Sequence, residues 1–432
     1  MDKLIKTIKS QKNIKNYRIY KTKSKNIVLG VKGEIIGGPY NPIQTSFSIN
    51  GELQIEWNDK KISLINLTSS SFENPRETIK RAYETKISDK YQRIFIEPYK
   101  EKLIKTNQYS RNISNLINNK QDTLIQEIEN LFNYERSIGI IKHESTIEAS
   151  ETYVELSNSK GLYLEDNFSS YGFASSWDEK LFFGYEERKS FSVKTYLTKL
   201  KFLAKLYKSI NQQIKVKRFM THNIKVILSP EITLDILNQF IFENLNGSFV
   251  ANGMSRFTKQ DFNKKKKLFA DWFTLKINPL KVFTPGAYNF TQEGVLCKQT
   301  TFIDKGKMIT PILNLKHASI LKFNPTPTIT EPYILSFCNT KELFDLKKYI
   351  KSCKEAIFVP YFLGLHTQNQ MTGDYSLVSP YTIYIKDGKL MGRFKTIVRG
   401  NIFEDLNKDI ELVKSETFPL PGICYNPKVI IE

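Results

Sequence analysis

Long stretches of apolar–polar alternation, punctuated by two-residue turn signals, constrain this chain most. TSFSINGELQIEW (45–57) alternates on both sides of Asn50-Gly51, a pair suited to the positive φ angles of a type I′ turn, so a hairpin is predicted there. IGIIKHESTIEASETYVELSNSKGLYLED (138–166) alternates in the same way and is predicted to turn at Lys160-Gly161. Lys305-Gly306 and Asp387-Gly388 give two further turns, within GVLCKQTTFIDKGKMI (294–309) and VSPYTIYIKDGKLMGRFKTIV (378–398). Side chains of period two send one face of each strand to a core, and NIVLGVKGEII (26–36) joins the first hairpin as a meander.

Helices are expected between these strands. Asn74 as N-cap, Pro75 at the first helical position and Glu77 completing a capping box predict a helix ahead of Ile79, Ala82 and Tyr83. Residues 98–136 read as helical. Residues 191–210 place Val193, Tyr196, Leu197, Leu200, Leu203, Ala204 and Tyr207 on one face with lysines on the others, and 230–244 form a further helix. The expected fold class is therefore α+β and multi-domain: two mixed N-terminal units, 1–95 and 96–220, followed by a mainly antiparallel β domain, 221–432.

At 432 residues and 40% apolar composition the chain can bury more than one core. It contains no run of about 18 apolar residues, and its N-terminus is basic without the apolar segment of a secretory signal, so a cytoplasmic protein with no membrane partner is expected. Cys297, Cys338, Cys353 and Cys424 form no CxxC pair and are expected to be reduced. The net charge of +20 comes from lysine spread along the whole chain. Only Lys264–Lys267 is a dense run, which reads as a solvated face, so nucleic acid is not expected as a partner.

Familiar catalytic patterns are missing. There is no G-x-S-x-G, P-loop or G-x-G-x-x-G, and the histidines number four: His143, His222, His317 and His366. His143-Glu144 begins like HExxH, but Ile147 stands in place of the second histidine. The alternating segment also sends His143 and Glu144 to opposite faces.

TGDYS (372–376), IYIKDGK (383–389), GNIFEDL (400–406), EGVLCKQTTFIDKGKM (293–308), SETYVELSNSKGLYLED (150–166) and NPKVIIE (426–432) occur in an order that resembles the TldD/PmbA family over roughly residues 140–432. The resemblance implies a zinc metallopeptidase assembly of two cytosolic subunits, a TldD-type chain carrying HExxxH and a TldE/PmbA-type chain lacking it. Placed on LSPEITLDIL (228–237), the family's metal helix has Pro230 and Asp235 at the histidine positions and Glu231 at the glutamate. Proline offers no ligand atom, and no histidine lies between His222 and His317. The resemblance is to the TldE/PmbA-like branch.

It implies a non-catalytic subunit without its own metal, paired as a heterodimer with a TldD-type partner that holds the zinc, and acting on unfolded peptides. Thr372, Gly373, Asp374, Tyr375 and Ser376 become candidates for a substrate cleft or subunit contact, and Glu231 is the one weak catalytic candidate. Ser229 as N-cap, Pro230 at the first helical position and Glu231 on the helix dipole also account for that stretch as a plain helix start. Two other readings stay open: a peptidase with a divergent metal site drawn from Glu231, Asp235, His366 or Cys424, and a basic nucleic-acid-associated protein.

Overall fold

The computed structural model describes residues 1–33, 43–92, 96–99, 105–140, 143–178, 180–189, 194–215, 224–338, 341–415 and 418–431. A seven-stranded antiparallel sheet is built from β1 (Ile14–Gly33), β2 (Gln44–Trp57), β3 (Lys61–Thr68), β4 (Ile87–Ser88), β5 (His143–Asn158), β6 (Tyr163–Trp177) and β7 (Leu181–Glu187), in the order β4-β3-β2-β1-β5-β6-β7. An antiparallel meander, β1-β2-β3, and the hairpin at Lys160-Gly161 are both present, with Gly161 at φ +88, while residues 34–36 of the first predicted strand lie outside the described residues. β1 pairs with β2 on one side and with β5 on the other, from Arg18↔Asn158 to Gly33↔His143. One sheet thus draws its strands from both sides of the boundary expected between 1–95 and 96–220.

The hairpin predicted at Asn50-Gly51 is absent. Both residues lie inside β2, paired with Thr22 and Lys21, and the chain reverses at 58–60, where Lys60 takes φ +66. Gly51 serves a close approach instead: a Cβ there would stand 2.1 Å from the Tyr20 carbonyl oxygen. Asn74 also departs from expectation. It closes the short helix Ser69–Glu73 and opens Pro75–Glu84 at once, at φ −116 and ψ 66, and its side chain makes no cap. That double duty denies it the extended conformation of an N-cap.

Two sheets follow. Four strands, β9 (Phe273–Ile277), β10 (Thr300–Asp304), β11 (Lys307–Met308) and β12 (Leu335–Cys338), pair in the order β11-β10-β9-β12. Eight more, β8 (Lys225–Leu228), β13 (Leu343–Asp345), β14 (Glu355–Val359), β15 (Asp374–Lys386), β16 (Lys389–Asn401), β17 (Glu411–Lys414), β18 (Gly422–Tyr425) and β19 (Lys428–Ile431), order as β13-β17-β18-β8-β14-β15-β16-β19. Antiparallel pairing dominates, with parallel contacts at β13/β17 and β14/β8. The turns at Lys305-Gly306 (φ 46, 73) and Asp387-Gly388 (φ 47, 72) have the predicted left-handed geometry. Strands and helices together give the expected multi-domain α+β fold.

Helices form the layer between the large sheets. Arg111–Asn119, Gln121–Ser137 and Lys194–Asn211 bury Ile113, Leu116, Leu124, Ile128, Tyr196 and Leu200 in a core that also takes Ile147 and Phe173 from the seven-stranded sheet and Ile227, Phe358 and Ile383 from the eight-stranded one. Val193 of the expected helix face lies outside the described residues.

His143 has a structural place that its sequence context hid. Its Nδ1 lies 2.9 Å from Glu135 Oε2, both side chains being buried. Glu135 Oε1 also accepts from Trp177 Nε1 at 2.8 Å and Ser175 Oγ at 2.5 Å, so one carboxylate ties the helix Gln121–Ser137 to the ends of β5 and β6. Removing one member strands the others in a dry interior. Glu135→Ala is expected to cost about 3–5 kcal/mol, read as a lower urea midpoint; a loss under about 1 kcal/mol would contradict the role given to the pair.

Candidate functional site

β8 runs into the helix Pro230–Leu237, where Ser229 Oγ accepts from the Ile232 amide at 3.2 Å and Pro230 opens the first turn, as the sequence predicts. Gly422 of β18 passes so close that a Cβ would meet the Leu228 carbonyl oxygen at 2.3 Å. Thr233 Oγ1 accepts from the Ile423 amide at 3.1 Å, pinning the helix to the sheet. The helix widens into a π-turn over Asn238–Phe242 before closing at Glu243–Leu245.

Glu231 and Asp235, one turn apart, share a face. Desolvation raises the Glu231 carboxyl; hydrogen bonds from its own backbone and Ser229 oppose the shift, and the Asp235 charge adds to it. Asp235 is likewise raised by desolvation. Pro230 is buried and carries no donor. Two carboxylates on one helix make a poor zinc set without imidazole or thiolate.

The other expected ligands do not converge on this helix. Cys424 pairs with Ile227 across β18 and β8 and shares its core, on the sheet face opposite Val226, Leu228 and the helix residues Ile232 and Ile236. Burial pushes its thiol pKa up. His366 sits exposed in the turn Leu365–Thr367, and His222 lies outside the described residues. Among the described residues no three His, Cys, Asp or Glu side chains group as a metal site. The residues present do not fit zinc.

Residues 372–376 form a braced corner at the start of β15. Gly373, at φ +76, would place a Cβ 2.3 Å from the Phe403 ring, and its carbonyl accepts from the Ile402 amide at 2.9 Å. Asn401 Nδ2 donates to the Thr372 carbonyl and to Asp374 Oδ1, both at 2.8 Å. Tyr375 is buried, its hydroxyl donating to Asp405 Oδ2 at 2.6 Å and bonded to the Tyr425 hydroxyl at 2.9 Å. Ser376 Oγ accepts from Arg399 Nε at 3.0 Å. The preceding loop touches the segment after the helix Pro230–Leu237: Gln239 Nε2 and Asn244 Nδ2 donate to the carbonyls of Gln368 and Gln370 at 3.2 and 2.8 Å.

A cavity of about 800 Å³ lies where the seven-stranded sheet meets the segment 286–331. Arg18, Glu52, Glu186, Arg188, Glu293 and Glu331 supply most of its charge. The sequence gives no warning of it, because Arg18 stands in a basic stretch and Glu186 to Lys189 look like a solvated charge run. Desolvation pushes the Glu186 carboxyl up to about 7; Arg188 opposes this, while the charges of Glu331 and Glu148 reinforce it. The folded chain therefore keeps a proton that the unfolded chain gives up near its ordinary value of 4.5. The stability linked to that proton is full below 4.5 and is lost as pH rises through about 7. Glu186→Gln should stabilise the chain against urea at pH 8 relative to the parent, with the gap closing near pH 4; a gap that does not change with pH would refute this titration.

The PmbA/TldA metallopeptidase C-terminal domain family matches residues 221–432. An uncharacterised protein of Methanocaldococcus jannaschii is 21% identical over 359 residues, covering 82% of each chain. Among solved structures, TldE from Thermococcus kodakarensis superposes with a TM-score of 0.80 at 15% identity, covering 100% of both chains. A protein from Bacteroides thetaiotaomicron described as a candidate modulator of DNA gyrase gives 0.74 at 18% identity, covering 100% of this chain and 97% of its own. The chain thus carries the PmbA/TldA metallopeptidase C-terminal domain over residues 221–432 and shares the fold of TldE along its whole length.

Proposed function

We propose that this chain is the supporting subunit of a TldD-type zinc metallopeptidase, metal-free itself and paired in the cytoplasm as a heterodimer with a TldD-type chain that carries the zinc and cleaves unfolded peptides. The observation that carries this reading is the helix Pro230–Leu237, which offers a buried proline and two carboxylates where the sequence resemblance would put the family's metal helix. Imidazole is the donor such a site needs in order to hold zinc and still leave a coordination position for water. An extended substrate strand would pair with an open sheet edge in the assembly, since backbone pairing tolerates many sequences.

Within this reading, residues 372–376 shape the protein rather than the reaction. The Asp374 carboxylate and the Tyr375 and Ser376 hydroxyls are engaged with neighbouring chain segments, the Thr372 hydroxyl bonds within its own turn to the Asn369 carbonyl and the Asp374 amide, and Gly373 is required by its φ and by the Phe403 ring. Glu231 sits at a helix start that Ser229 caps, so its removal should not abolish cleavage by the complex.

Zinc content per chain tests the proposal. The chain purified alone is expected to hold none, with zinc and peptidase activity appearing after co-purification with a TldD-type chain from the same source. Close to one zinc in the isolated chain, lost in a Glu231→Ala, Asp235→Ala double variant, would overturn it. Gly373→Ala is expected to lower the urea midpoint of the chain and to weaken co-purification, while the zinc content of whatever complex forms stays unchanged.

A further inference from the structure

In a chain of net charge +20, the cavity under the seven-stranded sheet is lined by four glutamates, Glu52, Glu186, Glu293 and Glu331, against Arg18, Arg188 and Lys316. Several of these charges are already committed. Glu52 Oε1 accepts from Arg18 Nη2 at 2.5 Å, Glu293 Oε2 accepts from the Leu315 amide at 2.6 Å, and Lys316 Nζ is held by Asp89 at 2.6 Å. Glu186 and Glu331 are left to share Arg188, whose Nε stands 3.9 Å from Glu186 Oε1, beyond hydrogen-bond distance. With both carboxyls ionised, the acidic end of the cavity is thus short of one cation.

The arginines add a second requirement. Arg18 and Arg188 are 2% and 6% exposed. Each is clamped through one nitrogen, Arg18 to Glu52 and Arg188 Nη1 to the Ala287 carbonyl at 2.6 Å, and Arg188 also stacks on the Phe168 ring. Arg18 Nη1 and Arg188 Nε stand 3.9 Å from Glu293 Oε1 and Glu186 Oε1 and make no hydrogen bond, an uncommon state for buried guanidinium donors. Glu331 is set against this wall deliberately: Gly286, at φ +74, leaves room for its stem, and a Cβ there would fall 2.2 Å from Glu331 Cβ. The volume suits a small organic ligand or a few residues of peptide.

We propose that this cavity binds a primary ammonium group together with a carbonyl oxygen, the ammonium taken by Glu186 and Glu331 and the carbonyl by the arginine side of the wall, as an amino-terminal residue presents them within one residue and a lysine presents them at the two ends of its side chain. A neutral carboxyl at Glu186 competes with such a ligand, so binding strengthens as pH rises through about 7. Around Glu186 the charged and titratable groups are Arg188, Glu331 and Glu148, with Tyr333 and Glu187 beside them. The site belongs to this chain alone and does not depend on how it pairs with a peptidase subunit.

Calorimetric titration of the isolated full chain with trialanine amide, N-acetyl-trialanine amide and N-acetyl-lysine amide tests it. One saturable site for trialanine amide is expected, weakened about tenfold by acetylation and about tenfold by Glu331→Gln, the scale of one charged hydrogen bond. Binding of trialanine amide but not of the lysine derivative assigns an amino terminus; the reverse assigns a lysine side chain; either supports an ammonium site. Absence of binding by both amines, or affinity unchanged by acetylation and by Glu331→Gln, overturns it. Glu331 is exposed, so the variant should fold, and its far-UV dichroism and urea midpoint verify that it does. Because no partner or zinc enters the titration, failure here leaves the subunit proposal standing, and failure of the subunit proposal leaves this site standing.

Discussion

The pairing of β1 along both of its edges holds the N-terminal half of this protein together. Its residues from Arg18 to Val28 pair with β2 on one side and with β5 on the other, so β1 is an interior strand whose amide and carbonyl groups are satisfied on both flanks. Its alternating side chains divide between two ends: Tyr17 and Ile19 enter the small core closed by the helices Asp2–Lys9 and Pro75–Glu84, whereas Ile27 and Leu29 enter the large core beneath the helical layer. A strand with both roles couples segments more than a hundred residues apart. It also fixes Arg18, which must lie where β1 passes the junction with residues 286–331.

The C-terminal half is governed by close backbone approach. Gly422 lets β18 lie against the exit of β8, and Gly373 lets the β15 corner lie against Phe403. Gly306 admits the Phe269 carbonyl in the same way. These contacts set where the helix Pro230–Leu237 leaves the sheet and keep Cys424 on the opposite face from it. A metal centre needs donors from separate segments to converge; here the two carboxylates are neighbours on one helix, while the thiol belongs to a different core.

Local rules made much of this visible in advance. Turns at Lys160-Gly161, Lys305-Gly306 and Asp387-Gly388 are encoded by φ preferences that operate within two residues. The start of the helix at Ser229 follows from capping chemistry within three residues. The ordered motifs of the second half identified the family for a similar reason, since short, regularly spaced turns and strands leave a record in sequence order.

What the sequence by itself determined is therefore the period of each element, most of its turns, its family and the lack of histidine donors between His222 and His317. Only the tertiary structure decided that Asn50-Gly51 would lie mid-strand, because Gly51 answers to the Tyr20 carbonyl thirty-one residues away and no local preference reports such an approach. It likewise decided that His143 would pair with Glu135, and that Arg18, Arg188, Glu186 and Glu331 would line one cavity. Charges that look solvated in a lysine-rich sequence become buried or shared only when distant strands bring them to the same wall, and the cost of desolvating them, which gives the cavity its chemistry, does not exist until they meet.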